Sequence, residues 1–295
     1  MTPEIIVSGF FVYFIVEIYY TLDMFNFLHS YIPSPILFSI GSVEIHWYAF
    51  LMVVGGLIGL YVAMKLAVKH NLEPKIFEEL VIWFAIGAVI GARVYYVIYA
   101  WEFYSENLFE IFQIWNGGMA VHGVMIGGFI ATVLFAKWKK VSFWKIADIA
   151  VVGLVVGQVI GRVGNYFNQE IFGKPTDLPW GIPIEIANRP DVYLNSEYFH
   201  PTFLYESVGS LVILFVLLFI LRARRGRGEE RGKKGMKGNV FLIYLILYSV
   251  LRFWLEFLRT DFSPMVFDMR WAQLFSIFII FVAIILLIIR NKKYD

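Results

Sequence analysis

The sequence predicts an all-α, polytopic membrane protein, and three observations carry that prediction. Its 295 residues are 59% hydrophobic and only 16% charged, whereas a soluble domain of this size keeps about 25% charged residues. The apolar residues gather into stretches of the length, about 20 residues, that crosses a hydrocarbon core of about 30 Å. The basic residues fall in alternate connections between those stretches, as retention of Lys and Arg on the cytoplasmic side requires. Cysteine is absent, so the chain has no disulfide, thiolate metal site or cysteine nucleophile of its own. Any thiol chemistry uses a thiol from a substrate.

With a window of about 19 residues, seven segments qualify as spans. They run from Trp47 to Val68, Ile76 to Ala100, Met119 to Trp138, Ile146 to Asn165, Pro201 to Leu221, Asn239 to Thr260 and Trp271 to Ile289. An eighth segment, Ile5 to Tyr20, is short, carries Glu17 and lacks the basic flank and small-residue cleavage site of a signal peptide. It reads either as a helix lying on the membrane surface or as an additional span. The expected organisation is an N-terminal extension, 1–33, followed by a seven-span core, 34–295. That core has an extracytoplasmic loop at about 166–200 and a basic cytoplasmic loop at 222–238.

Orientation follows from 18 of the 25 Lys and Arg residues. They are Lys65, Lys69 and Lys75, then Lys137, Lys139, Lys140 and Lys145, the eight from Arg222 to Lys237, and finally Arg290, Lys292 and Lys293. The opposite connections carry only Lys174, Arg189 and Arg270. The residues before Trp47 are therefore expected outside and the C-terminus inside. The run RARRGRGEERGKKGMKG from Arg222 to Gly238 is read as an orientation signal touching anionic lipid headgroups, not as a nucleic-acid site. Gly55 and Gly59, Gly87 and Gly91, Gly123 and Gly127, and Gly153, Gly157 and Gly161 recur at four-residue spacing. That spacing puts them on one face of each helix, where small residues let backbones approach.

The polar residues cluster by depth. Tyr48, Arg93, His122, Arg162, Asn165, Glu206, Arg252, Glu256 and Arg259 all fall in the outer halves of their spans. At a rise of about 1.5 Å per residue, a continuous helix would put Arg252 about 12 Å below Thr260 and Glu256 about 6 Å below it. Asp148 is the main polar residue of the inner halves and reads as an interfacial or capping residue. Each group has a bland explanation. His122 could pack at an interface, Tyr48 could belong to an aromatic belt, and Arg93 could snorkel. Arg252, Glu256 and Arg259 could pair along one helix. Their joint occurrence is harder to explain so, because four intramembrane arginines would cost on the order of 10 kcal/mol if summed on insertion scales. Two nearby glutamates do not neutralise them, so the set invites an anionic ligand such as a lipid.

The stretch GRVGNYFNQEIFG, Gly161 to Gly173, resembles the signature of the prolipoprotein diacylglyceryl transferase family. IHWYAF, NGGMAVHGVMIGG, HPTFLYE and RFWLEFLR resemble its other landmarks in the family's order, and the resemblance covers about Ser34 to Ile289. Two departures stand out: the first thirty or so residues have no counterpart, and HGVM replaces a common HGG-type sequence after His122. The resemblance implies a bacterial multi-pass enzyme of the cytoplasmic (inner) membrane, its active site toward the outer leaflet. Such an enzyme moves a diacylglyceryl group from phosphatidylglycerol to the lipobox cysteine thiol of a prolipoprotein signal peptide, with no metal or cofactor. Its expected contacts are those substrates and membrane lipids, without nucleic acid.

On that resemblance Arg162 would hold the lipid phosphate, since guanidinium grips phosphate through two donors and stays charged. Arg252 would stabilise charge on the departing phosphate, oriented by Glu256. His122 would accept the thiol proton, imidazole having an ordinary pKa of about 6.5. Tyr48, Asn165, Asn168, Glu170, Glu206 and Arg259 would position the substrates. The rival reading is a secondary transporter or channel for an anionic solute, because intramembrane charge also marks transport pathways. Transporters favour a midplane site between two related halves, and this sequence shows neither clearly. The 18-to-3 division of basic residues predicts that cysteines introduced at Asn188 and Gly228 label from opposite sides of the membrane, Gly228 from the cytoplasm. Labelling of both from one side contradicts the span order.

Overall fold

In the computed structural model, residues 27–225 and 238–292 are described. The segment Ile5 to Tyr20 and the middle of the basic loop, 226–237, lie outside the described residues. Among the described residues the architecture is helical, with three small antiparallel strand pairs. Six helices among them are long and apolar enough to cross a membrane: α1 (Trp47–Lys69), α2 (Lys75–Tyr99), α3 (Val121–Trp138), α4 (Phe143–Phe167), α5 (Thr202–Arg225) and α7 (Trp271–Lys292). Between the last two stands α6 (Asn239–Leu255), a shorter apolar helix. These seven helices match the seven expected segments in order. The lipid-facing character is visible in side chains such as Ile82, Ile98, Phe215 and Phe219, which are apolar and exposed.

The sixth segment was expected to continue to Thr260, but α6 stops at Leu255. Beyond it, Phe257 N–H and Leu258 N–H reach back only three residues, to the carbonyls of Trp254 and Leu255. This tightening ends the helix. The chain then pairs laterally: Lys174 N–H donates to Leu258 O at 2.7 Å, and Gly173 bridges Arg259. Glu256 and Arg259 therefore do not lie at helix-defined depths.

The chain forms two compact units, and several helices contribute to both. The first takes in the described residues up to Gly56, Val155–Phe215 and Leu245–Leu286. It contains the strand pairs β1 (Ile36–Ile40) with β2 (Val43–His46), β3 (Ile182–Pro183) with β4 (Tyr198–Phe199), and β5 (Met265–Val266) with β6 (Met269–Arg270). The 168–201 connection is no open loop. Tyr166, Phe172, Ile182, Ile184, Phe199 and Phe203 form a buried cluster with Leu28 packed against it. The end of the N-terminal extension is fastened to this cluster. His29 stacks on Tyr198 at 3.8 Å, Tyr166 OH donates to Tyr31 O at 3.2 Å, and Gln169 Nε2 donates to Pro33 O at 3.1 Å. In the same unit, a Cβ on Gly55 would stand 3.3 Å from Gly157 O, so α1 and α4 approach as the glycine spacing implied.

The second unit takes in the described residues of Leu57–Leu154, Val216–Tyr244 and those from Leu287 onward, packed around Ala67, Phe77, Phe135, Ile146 and Ile149. Here α2 and α3 meet through glycines: a Cβ on Gly91 would lie 2.7 Å from Gly127 Cα. Asp148, fully buried, caps the start of a different helix from its own. Its carboxylate accepts from Gly238 N–H at 2.8 Å and Phe241 N–H at 2.9 Å, satisfying donors at the beginning of α6.

Arg93 departs from the expectation that it snorkels or joins an anion site. It is buried, and its Nε donates to Ile111 O at 2.8 Å while Nη1 donates to Gly117 O and Gly118 O at 2.7 and 2.9 Å. Nη2 donates to Glu110 O, and the guanidinium lies over the Tyr104 ring. Its donors are consumed by carbonyls of the segment that leads into α3, where Gly117 and Gly118 take positive φ. Arg93 is thus a brace for that turn.

Candidate functional site

The signature segment closes α4, which has the largest buried share of the long helices, 56% over its most apolar stretch against 17–33% for the others. That enclosure holds Arg162 within the helix bundle of its unit. Its Nη2 forms an ion pair with Glu206 Oε1 at 2.7 Å. Glu206, on α5, is 1% exposed, and a carboxylate buried that deeply persists only when paired and hydrogen-bonded. Tyr248, from α6, completes its shell, the phenol donating to Glu206 Oε1 at 2.6 Å. Arg162 Nη2 also reaches Tyr248 OH at 3.5 Å, and Nη1 reaches Asn165 Oδ1 at 3.4 Å. Arg162 Nε makes no hydrogen bond among the described residues, which leaves that one donor of the guanidinium for a ligand.

Past Arg162 the helix ends in two positive-φ residues, Gln169 at +49° and Ile171 at +55°. Gln169 is buried and stabilises this bend, its side-chain Oε1 accepting from Glu185 N–H at 2.8 Å. The bend turns Glu170 back toward the helix. One of its oxygens accepts from Asn165 Nδ2 at 2.7 Å and from Asn168 Nδ2 at 3.3 Å. Arg162, Asn165, Glu170 and Asn168 thus form a single polar chain, as their sequence proximity suggested. Tyr48, the second residue of α1, lies against Gly164, where an added Cβ would stand 2.9 Å from its ring. The glycine lets the Tyr48 ring approach the turn that carries Arg162.

A second polar group of the same unit lies at the end of α6. Arg252 Nη2 and Glu256 Oε2 are 2.8 Å apart, the i, i+4 pairing read from the sequence. The approach is close, but its angle does not make a hydrogen bond, and Arg252 Nη1 is buried with no hydrogen-bond partner. The other oxygen of Glu256 pairs with Arg270 Nε at 2.9 Å. Arg259, expected to position substrate, had pairing along the helix with Glu256 as its bland alternative. Instead its Nε pairs with Asp261 Oδ1 at 2.7 Å, because the chain has left the helix. Burial alone would raise the Asp261 carboxyl, but the hydrogen bond and charge of Arg259, with the charge of Arg270, hold it below its ordinary range. This pair therefore contributes stability above the ordinary carboxylate pKa and loses it only as pH falls through the lowered folded value.

His122 belongs to the other unit. It is the second residue of α3, exposed, with its ring stacked on Tyr95 at 5.8 Å. Near the HPTFLYE motif, His200 Nδ1 lies 3.2 Å from Tyr205 OH, which accepts from Trp180 Nε1 at 2.8 Å. Burial lowers the pKa of His200. Sequence reasoning missed Tyr248, Asp261 and the role of Arg270. Tyr248 stands four residues before Arg252 on the same helix, a spacing that could have drawn attention to it. Among the described residues no group of three or more His, Cys, Asp or Glu side chains could hold a metal ion.

These features define a class: a polytopic helical membrane protein with buried arginine–carboxylate pairs at the ends of two helices. The chain belongs to the prolipoprotein diacylglyceryl transferase family, whose sequence model matches residues 35–289. Relatives carry the name phosphatidylglycerol–prolipoprotein diacylglyceryl transferase. The one from Acaryochloris marina is 46% identical over 245 residues, 83% of this chain and 86% of its own. That from Nostoc is 45% identical over the same share of this chain and 85% of its own. That from Bacillus velezensis is 40% identical over 265 residues, 88% of this chain and 93% of its own.

The pairing of Arg162 with a buried glutamate yields a prediction that separates stability from chemistry. Arg162→Ala strands Glu206 and is expected to cost about 3–5 kcal/mol, lowering the melting temperature in detergent, with activity abolished. Adding Glu206→Gln removes the stranded charge and should restore much of the melting temperature without restoring turnover. Recovery of turnover in the double variant would remove Arg162 from the reaction.

Proposed function

We propose that this chain transfers the diacylglyceryl group of phosphatidylglycerol to the lipobox cysteine thiol of a prolipoprotein, releasing glycerol phosphate. Membership of the family over 35–289 carries the reading. The polar chain around Arg162 supports it, since a guanidinium with a donor left on Nε suits a phosphodiester. The sulfur attacks the diacylglyceryl carbon that bears the phosphate oxygen; the C–S bond forms as the C–O bond breaks. The electron pair leaves with glycerol phosphate, which gains one negative charge.

Each residue's role follows from that balance. Arg162 binds the lipid phosphate while Glu206 and Tyr248 fix its orientation. Asn165, Glu170 and Asn168 present a polar surface beside it, and Tyr48 packs alongside. Arg252 meets the charge that develops on the leaving phosphate, an interaction that grows toward the transition state and therefore accelerates the reaction. Glu256 orients Arg252, and Arg259 stabilises the adjoining turn and its polar surface. His122 accepts the thiol proton, for a thiol with a pKa of about 8.5 is mostly protonated at neutral pH. The basic residues support placement in the bacterial cytoplasmic membrane with the site toward the outer leaflet and the C-terminus in the cytoplasm.

The base role of His122 is tested by single-turnover rates of wild type and His122→Gln from about pH 6 to about pH 9.5, a window bracketing ordinary imidazole and thiol pKa values. Lipid binding is measured separately. The wild-type rate should fall on the acid side as imidazole gains a proton. The variant should bind lipid, react slowly at neutral pH and recover toward wild type at the alkaline end, where solvent deprotonates the thiol. An unchanged rate, or a flat loss together with lost lipid binding, contradicts the role. Consumption of phosphatidylglycerol with a mobility shift of the peptide distinguishes transfer from anion flux across vesicles.

A further inference from the structure

Arg270 ends β6 and immediately precedes α7. Its backbone is pinned. The hairpin turn at Phe267 and Asp268 has φ of +52° and +58°, as a tight two-residue turn requires. Trp271 N–H donates to Pro264 O at 2.9 Å, and Arg270 N–H donates to Gln273 Oε1 at 3.0 Å, a cap from three residues into the helix. The side chain is pinned as firmly. Besides Nε on Glu256 Oε1, Nη1 donates to Arg259 O at 2.6 Å and reaches Glu256 O at 3.4 Å, and Nη2 donates to Asp261 O. With all three nitrogens engaged, Arg270 is a poor receptor for an anion and a good clamp.

What it clamps is the orientation of one carboxylate. A glutamate and an arginine left to themselves favour a two-bond fork, both oxygens on both donors. Glu256 is 1% exposed and meets Arg252 through Oε2 alone, because Oε1 is held by Arg270. Arg252 Nη1 is left with no hydrogen-bond partner. We propose that Arg270 is a positioning residue for the transfer. By holding Glu256 Oε1 it prevents Glu256 from closing a fork on Arg252, and so keeps Arg252 donors available to the departing phosphate. This rests on the assignment of Arg252 to the leaving phosphate.

The test measures kcat and KM for phosphatidylglycerol with the full-length enzyme in detergent micelles and a prolipoprotein peptide as acceptor. Arg270→Gln should lower kcat on the order of 100-fold, as misplacing a group by about 1 Å does, with KM within about twofold of wild type. In the Glu256→Gln background, adding Arg270→Gln should change kcat by no more than about twofold, since residues acting through one contact are not additive. Fully additive losses, a rise in KM alone, or a normal kcat for Arg270→Gln overturn the proposal.

If Arg270→Gln is not recovered folded, Arg270→Lys decides. Lysine supplies one donor to Glu256 but cannot also reach the carbonyls, so kcat should fall about tenfold at unchanged KM. An unchanged kcat, or a change confined to KM, again overturns it. Arg252→Gln separates the two claims. If it turns over normally, the leaving-phosphate assignment falls and this inference with it. If it is impaired while Arg270→Gln is normal, only the Arg270 role falls.

Discussion

A buried carboxylate needs a cation, and the polar architecture of this chain follows from two such carboxylates. Glu206 and Glu256 are each 1% exposed, and each has an arginine at contact distance, which offsets the cost of burying a carboxylate. Glu206 fixes Arg162 at the end of the most enclosed helix, and Glu256 is shared by Arg252 and Arg270. Each pair holds a guanidinium that would otherwise snorkel to the membrane surface. In each, one guanidinium nitrogen makes no hydrogen bond among the described residues: Nε of Arg162 and the buried Nη1 of Arg252. A phosphodiester is matched to such partly used forks, because it offers several oxygens and carries a charge that grows when it leaves.

The helices bring these pairs about by close packing and capping. Glycines let α2 meet α3 and let α1 meet α4, and Gly164 makes room for the Tyr48 ring beside the Arg162 turn. Asp148 caps α6 from another helix, anchoring the start of the helix that later carries Tyr248 and Arg252. At its far end α6 is stopped early by lateral pairing with the 173–174 strand-like segment, and the carbonyls this exposes are taken up by Arg270. The ending of one helix and the orientation of the Glu256 carboxylate are therefore the same structural event.

Much of this was legible in the amino-acid sequence. Helix positions followed from apolar length, helix contacts from glycine spacing, and the Arg162, Asn165 and Glu170 group from its compact motif. The Arg252–Glu256 pair followed from i, i+4 spacing. What escaped was long-range. Arg93 looked like spare charge because its partners are backbone carbonyls, which carry no residue signature. Asp148 looked like a cap of its own helix because the N–H donors it accepts from lie some ninety residues away. Arg259 was assigned to a helix that a lateral hydrogen bond terminates. Arg270 was counted only as a charge in a connecting loop. Tyr248 was one more aromatic residue in an aromatic-rich span until its phenol was found on Glu206. Periodicity reports which face a residue occupies but not which partner from another helix meets it there.

The central claim is that Arg162, held through Nη2 by Glu206, receives the lipid phosphate on its Nε side. The most direct measurement is an experimental structure of the full-length chain with phosphatidylglycerol bound. The phosphate should lie about 2.7–2.9 Å from Arg162 nitrogens, the distance of charge-assisted bonds, with the Glu206 pair retained on Nη2. A headgroup bound elsewhere, with the Arg162 Nε side still empty, would contradict the claim.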